Sequence, residues 1–223
     1  MVIKIYNLES VRSRMLKKLF YTDPYLMSCD ARVVALSGKE VQLDQTVFFA
    51  FSGGQASDRG VIDNIPVERA VVVDDDIIYH LADEPRFRVG DTVNVTVNAR
   101  RRLMLMRLHS AAHVVHFLFS ERTGVSELIG SNIDEDKARL DCAYAESVAD
   151  LLPDLQKKAH DICLSNLSIT VVENDGIRTW SCSSWSCFCT GTHVRSTREI
   201  GSIALKRKNI GAGKERIEIT LQE

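Results

Sequence analysis

Two short runs carry the residue types that metal chemistry needs. Cys189-Thr190-Gly191-Thr192-His193, inside WSCFCTGTHVRSTREIG, sets a thiol and an imidazole four positions apart, and in LHSAAHVVH the pair His109 and His113 repeats that spacing far upstream. Three imidazoles and one thiolate make a plausible tetrahedral zinc set, because zinc takes four nitrogen and sulfur donors. Two such pairs in a chain with only six histidines reinforce each other. Spacing alone leaves rivals open: His116 for His113, and Cys187 or Cys182 for Cys189. The helical zinc motif of metalloproteases carries a glutamate general base right after the first histidine; here that position is Ser110, which disfavours peptidase chemistry. A closed set of four protein donors suggests a structural metal, whereas a catalytic zinc usually keeps one position open.

The elements that must position these residues are readable in outline. Residues 9–20 have a short helical pattern, broken by TDPY at 22–25. From Cys29 to about Asn98 the signals are those of strands. ARVVAL runs into a turn at Ser37-Gly38 before VQLDQTVFFAF, IPVERAVVVDDDIIYHL reads as two strands around an Asp-rich turn, and DTVNVTVN alternates its valines. Short strands at close spacing point to a small β-barrel or sandwich. FSGGQASDRG at 51–60 reads as a hairpin loop and lacks the spacing and the Lys-Ser/Thr of a phosphate loop.

At Arg100 the period becomes helical through RRLMLMRLHSAAHVVHFLFSERTG, with Gly124 as C-cap. A helix puts His109 and His113 one turn apart on one face. Beyond it come a DED turn, a strand in ARLDCAY, a helix over 146–166, a strand at 168–175, the cysteine-rich segment, and two strands joined by a basic glycine-containing loop. Mixed helices and antiparallel strands make this half α+β.

The totals narrow the classes further. A chain of 223 residues, 45% hydrophobic and 26% charged, holds one large domain or two modest ones. A net charge of -2 excludes a basic nucleic-acid binder as a whole, so any RNA contact must come from local patches. Six scattered or clustered cysteines do not look like a disulfide framework. Without a signal-peptide pattern or a membrane-length apolar run, a reducing cytoplasmic setting is expected.

Together the HSAAH and CTGTH pairs resemble the editing domain of alanyl-tRNA synthetase and its free-standing relatives, the AlaX trans-editing proteins. FFAFSGGQASDRGVI at 48–62, GSNIDEDKARLDC and THVRSTREIGSI at 192–203 resemble that family's glycine-rich, central and post-motif segments, in the same order, over roughly residues 20–220. Two departures stand out: Ser52-Gly53-Gly54-Gln55 where the family has a triple glycine, and Thr190 where it frequently has Gly. The resemblance implies the medium-length type, with an N-terminal β-barrel over 1–92 and a zinc-containing editing domain over 93–223.

It further implies one zinc held by His109, His113, Cys189 and His193, and deacylation of mischarged tRNA(Ala), chiefly seryl and in some members glycyl. Candidates to read a serine hydroxyl are Ser131, Thr192 and Gln55, with Gly53 and Gly54 beside the substrate. Arg102 and Arg107, leading into the histidines of the helix, and Lys206, Lys208, Lys214 and Arg216 near the end, are the expected tRNA contacts. The expected assembly is a monomer or weak homo-oligomer. The rival readings are a non-catalytic zinc-containing RNA-binding module and editing of another, threonyl-type, aminoacyl-tRNA.

Overall fold

The computed structural model describes residues 16–211 and 213–222. Most of the short helix expected over 9–20 and the centre of the basic 211–213 loop lie outside the described residues. The described chain opens with β1 (Lys17–Lys18) and a single helical turn, α1 (Leu19–Thr22). Seven strands follow: β2 (Ser28–Ser37), β3 (Glu40–Leu43), β4 (Gln45–Thr46), β5 (Gly60–Ile62), β6 (Ile65–Val73), β7 (Asp76–Leu81) and β8 (Thr92–Val97). Pairing runs β2-β3-β7-β6-β5-β8, and β8 returns to β2, so the ring closes. In β7 and β8 every second residue is buried, the period of a strand with one face on a core. The β5–β6 hairpin turns through Asp63 and Asn64, both at positive φ, as the tight turns matching strand twist require.

Strand β8 runs across the expected boundary after residue 92, and Val93, Val95 and Val97 belong to the first hydrophobic cluster. Asn98 follows directly as the N-cap of α2 (Ala99–Thr123), its side chain accepting from the Arg101 amide, and Gly124 ends the helix in the left-handed conformation.

The second cluster is built by α2, β9 (Leu128–Ile133), β10 (Ala138–Ala143), α3 (Leu152–Leu164), β11 (Ile169–Asn174), β12 (Ile177–Cys182), β13 (Trp185–Phe188), β14 (Ile203–Asn209) and β15 (Lys214–Leu221). Two antiparallel sheets result, β14-β15-β10-β9 and β11-β12-β13. The chain is a mixed α+β structure. The helix expected from 146 begins six residues later, because Ser147 caps a separate 3-10 turn at Val148–Asp150 and Pro153 sits in the first turn of α3. Three strands have no clear signature in the sequence: β9, and β12 and β13, which form a hairpin through the cysteine-rich segment.

Of the several ties between the two parts, one is an ion pair sealed from solvent. Arg102, on the first turn of α2, is fully buried against both oxygens of Asp58 and donates to the carbonyls of Pro24 (2.8 Å) and Val47 (2.5 Å).

Candidate metal centre and its pocket

Helix α2 presents His109 and His113 one turn apart, rings stacked at 5.0 Å and 13°. After β13 the chain enters CTGTH, its start pinned by the Cys189 amide donating to the Arg178 carbonyl. Cys189 Sγ then stands 3.5 Å from His109 Nε2, 3.4 Å from His113 Nε2 and 3.2 Å from His193 Nε2. All four donor atoms lie within 4.8 Å of one another. Tetrahedral zinc with ordinary Zn–N and Zn–S bonds requires N···S edges of about 3.5 Å, so the donor set fits the ion. Only glycine is tolerated at 191: a Cβ there would stand 2.2 Å from His109 Cε1 and 2.7 Å from Gln55 Oε1.

Burial shapes the electrostatics. It lowers the His109 imidazole to about 3. It also lowers His113 and His193, with neighbouring imidazoles adding to the effect. These rings are therefore neutral, as metal ligands must be. Burial pushes the Cys189 thiol up to about 11, so ionising it calls for a cation such as zinc, which deprotonates a coordinating thiol outright.

Each histidine is oriented through its far nitrogen. Gln55 Oε1 takes the His109 Nδ1 proton at 2.7 Å and the Thr192 amide at 3.0 Å, while Gln55 Nε2 donates to Thr192 Oγ1 at 2.9 Å. Two N–H donors converging on one atom identify it as the carbonyl oxygen and fix the His109 tautomer, leaving Nε2 free for the centre. Ser110 Oγ faces His193 Nδ1 at 3.4 Å and accepts from the Val194 amide. Cys187 Sγ lies 3.4 Å from His113 Nδ1, and Trp180 stacks on that ring at 4.5 Å.

A cavity of about 330 Å³ opens over the centre, with His109, His113, Cys189, Gly53, Thr190 and Ser131 in its wall. Its surface is predominantly apolar, with Leu128, Ile133 and Leu140 excluding water, and no carboxylate among the described residues lines it.

The sequence-predicted residues separate sharply. The four metal donors, Ser131 and Gly53 meet at one place. Gly54 is adjacent, at φ +84°, with its Cα facing Ser131; a Cβ there would come within 3.1 Å of the Ser131 carbonyl oxygen. Gln55 and Thr192 are both buried and absent from the pocket wall; Gln55 is bonded to Thr192 and to His109, which places it behind a metal donor.

Arg102 is sealed from solvent against Asp58. Arg107 is occupied by the Ile200 carbonyl at 3.0 Å, and Arg216 is clamped by Asp141 at 2.6 and 2.9 Å. Lys206, Lys208 and Lys214 remain exposed. Among the rivals, Cys182 is a core thiol of β12, and His116 bonds the Ser126 carbonyl at the pocket rim. Sequence reasoning missed the parts played by Cys187 and Trp180; the only signal was that Cys187 is two residues from Cys189 at strand spacing, hence on one side.

Comparison with known proteins gives the arrangement a family. Residues 169–218 match the family described as Threonyl and Alanyl tRNA synthetase second additional domain. The chain is 32% identical over 225 residues to Alanyl-tRNA editing protein AlaX-M of Pyrococcus horikoshii, covering 93% of this chain and 99% of that protein. It is 30% identical over 225 residues to Alanine--tRNA ligase of Methanococcus maripaludis (strain C6 / ATCC BAA-1332), and 31% identical over 233 residues to that of Staphylothermus marinus. These matches cover 90% and 91% of this chain but 25% of each ligase. With a likeness that runs the whole length of a free-standing editing protein, and with HSAAH and CTGTH meeting in space, the chain belongs to the family of the alanyl-tRNA editing protein AlaX-M.

Proposed function

We propose that this chain hydrolyses the ester joining a wrong amino acid, chiefly serine and secondarily glycine, to the 3′ end of tRNA(Ala). The observation that carries the reading is the four-donor centre at the wall of a small pocket, in a chain collinear with an alanyl-tRNA editing protein. The reaction adds water across the ester, returning the free amino acid and the terminal hydroxyl of the tRNA. Such an ester is activated relative to an amide, which agrees with a pocket free of carboxylates among the described residues.

His109, His113, Cys189 and His193 would hold one zinc. Bound there, zinc supplies a fixed positive centre for orienting polar groups, and four protein donors favour positioning over supply of a nucleophile. Ser131 is in the same wall, which supports assigning its hydroxyl to bond a seryl side chain. A pocket that bonds a hydroxyl rejects alanine, because its own polar groups are then left unpaired. Gly53 and Gly54 let the loop backbone approach beside Ser131 without side chains.

The ring of six strands supports reading the first part as a small β-barrel, and we propose the division between the parts at Asn98. Lys206, Lys208 and Lys214 are proposed tRNA phosphate contacts. A tRNA partner supports a cytoplasmic setting, and no helix among the described residues is long and apolar enough to cross a membrane.

Serine-charged tRNA(Ala), incubated with zinc-loaded protein, is expected to lose its serine far faster than with chelator-treated protein. The family description names threonyl as well as alanyl synthetases, so a panel including serine-charged tRNA(Thr) separates the two substrates. Binding without accelerated deacylation of any member would leave a non-catalytic RNA-binding module.

A further inference from the structure

Strand β13 ends in an aromatic ring without an aromatic partner among the described residues: Phe188 is 67% exposed, the highest value of any large apolar side chain described. It immediately precedes the ligand Cys189, and it lines the same cavity as His109, His113 and Ser131. Strand alternation explains the arrangement, since Cys187 turns towards His113 while Phe188 turns outward. The side chains paired with it across the sheet, Thr179 and then Val172, are uncharged. The lip therefore offers a flat π face, and these two paired positions add no charge beside it.

The cavity, about 330 Å³, is near the lower end of small-molecule sites, about 300–1,000 Å³. It suits the amino acid and sugar end of a charged tRNA. The scissile ester sits on the terminal ribose, and the terminal base is attached to that same sugar. With the ester over the metal centre, the base lies at the mouth of the cavity. Bases stack on aromatic side chains with little regard to sequence, because every base has a π face.

We infer that Phe188 is the stacking platform for the terminal nucleobase of the charged tRNA, a binding subsite set beside the hydrolytic pocket. This rests on the editing reading. Phe188→Ala and Phe188→Trp are compared with the wild-type chain, with bound zinc and melting temperature measured alongside. The substrates are serine-charged tRNA(Ala) and serine methyl ester, which has the ester but no nucleoside.

For the charged tRNA, Phe188→Ala is expected to raise KM about fivefold to a hundredfold, the span of base stacking on truncation, with kcat and zinc content unchanged. Phe188→Trp restores KM, and hydrolysis of the methyl ester is the same in all three proteins. An unchanged KM in Phe188→Ala overturns the inference, as does equal loss on the methyl ester, which would make Phe188 part of the pocket's shape. A concentration-dependent shift in sedimentation abolished by Phe188→Ala, with unaltered KM, assigns the ring to self-association instead and also overturns it. A wild-type chain inert towards every charged tRNA overturns the editing reading and this inference with it, whereas an active wild type with an unaffected variant overturns this inference alone.

Discussion

At the scale of residues, the centre depends on groups that touch the ligands as much as on the ligands. Cys189→Ala removes the thiolate and is expected to abolish both bound zinc and deacylation, measured by elemental analysis and charged-tRNA hydrolysis. Gln55→Ala leaves the His109 tautomer unfixed, and loss of such an outer partner typically costs about 10–100-fold in metal affinity. Cys187→Ala should cost less, because a thiol is a weak acceptor; competition with a chromophoric chelator ranks the two. Burial depresses all three ligand imidazoles. In metal-stripped protein the unfolded chain therefore takes up protons below about pH 6.5 that the folded chain refuses, until the His109 value of about 3 is approached. Stability rises with pH wherever the unfolded state binds more protons, so the melting temperature of the stripped chain is expected to fall as pH drops from 7 to 5.

The ligands were legible because HxxxH and CxxxH are local patterns. Gln55 was not, because its partners His109 and Thr192 are reached only through the fold, and an amide in a glycine-rich run looks like any turn residue. Arg102 was illegible for a related reason: a guanidinium reads as surface unless its buried partner, Asp58, is seen.

At the scale of elements, α2 organises the molecule. Its capped start, its glycine stop and its apolar spacing were all readable, and it delivers both histidines from one face. The β12–β13 hairpin was not readable, since the cysteines and serines of SCSSWSCF mask the alternation that betrays β7 and β8. Its position became clear only from the pairing of Trp180 with Cys187 and Cys182 with Trp185. The first turn of α2 also locks the helix to the strand ring through Arg102 and Asp58, whose side chains are fully sealed from solvent. Removing one partner of a buried ion pair strands the other charge, at about 3–5 kcal/mol. Arg102→Ala is accordingly expected to lower stability by that order in denaturant titration. Arg102 would be a poor choice for testing RNA contact, because its loss acts on the fold.

At the scale of the whole molecule, a net charge of -2 conceals a local surplus. Lys206 and Lys208 share a sheet face with Arg216 and Glu218 across β14 and β15, and Lys214 begins β15 on that face. Arg216 is neutralised by Asp141 and Glu218 by Lys137, which leaves the three lysines available to a polyanion. Reversing them to glutamate should weaken tRNA binding and flatten its salt dependence, because a phosphate that is no longer neutralised keeps its counterions; nitrocellulose binding across a salt series reads both. The order of segments along the chain was enough to suggest the overall plan, and DTVNVTVN already read as the last strand before the helical period, while its partners β2 and β5 are known only from the pairing. The central claim is that one donor set and one pocket make an editing hydrolase. The most direct test is the single-turnover rate at which zinc-loaded chain deacylates serine-charged against alanine-charged tRNA(Ala). Rapid loss of serine, with alanine retained and the difference abolished by Cys189→Ala, is the result this account predicts. Serine lost no faster than without protein, in a chain that carries one zinc, would contradict it.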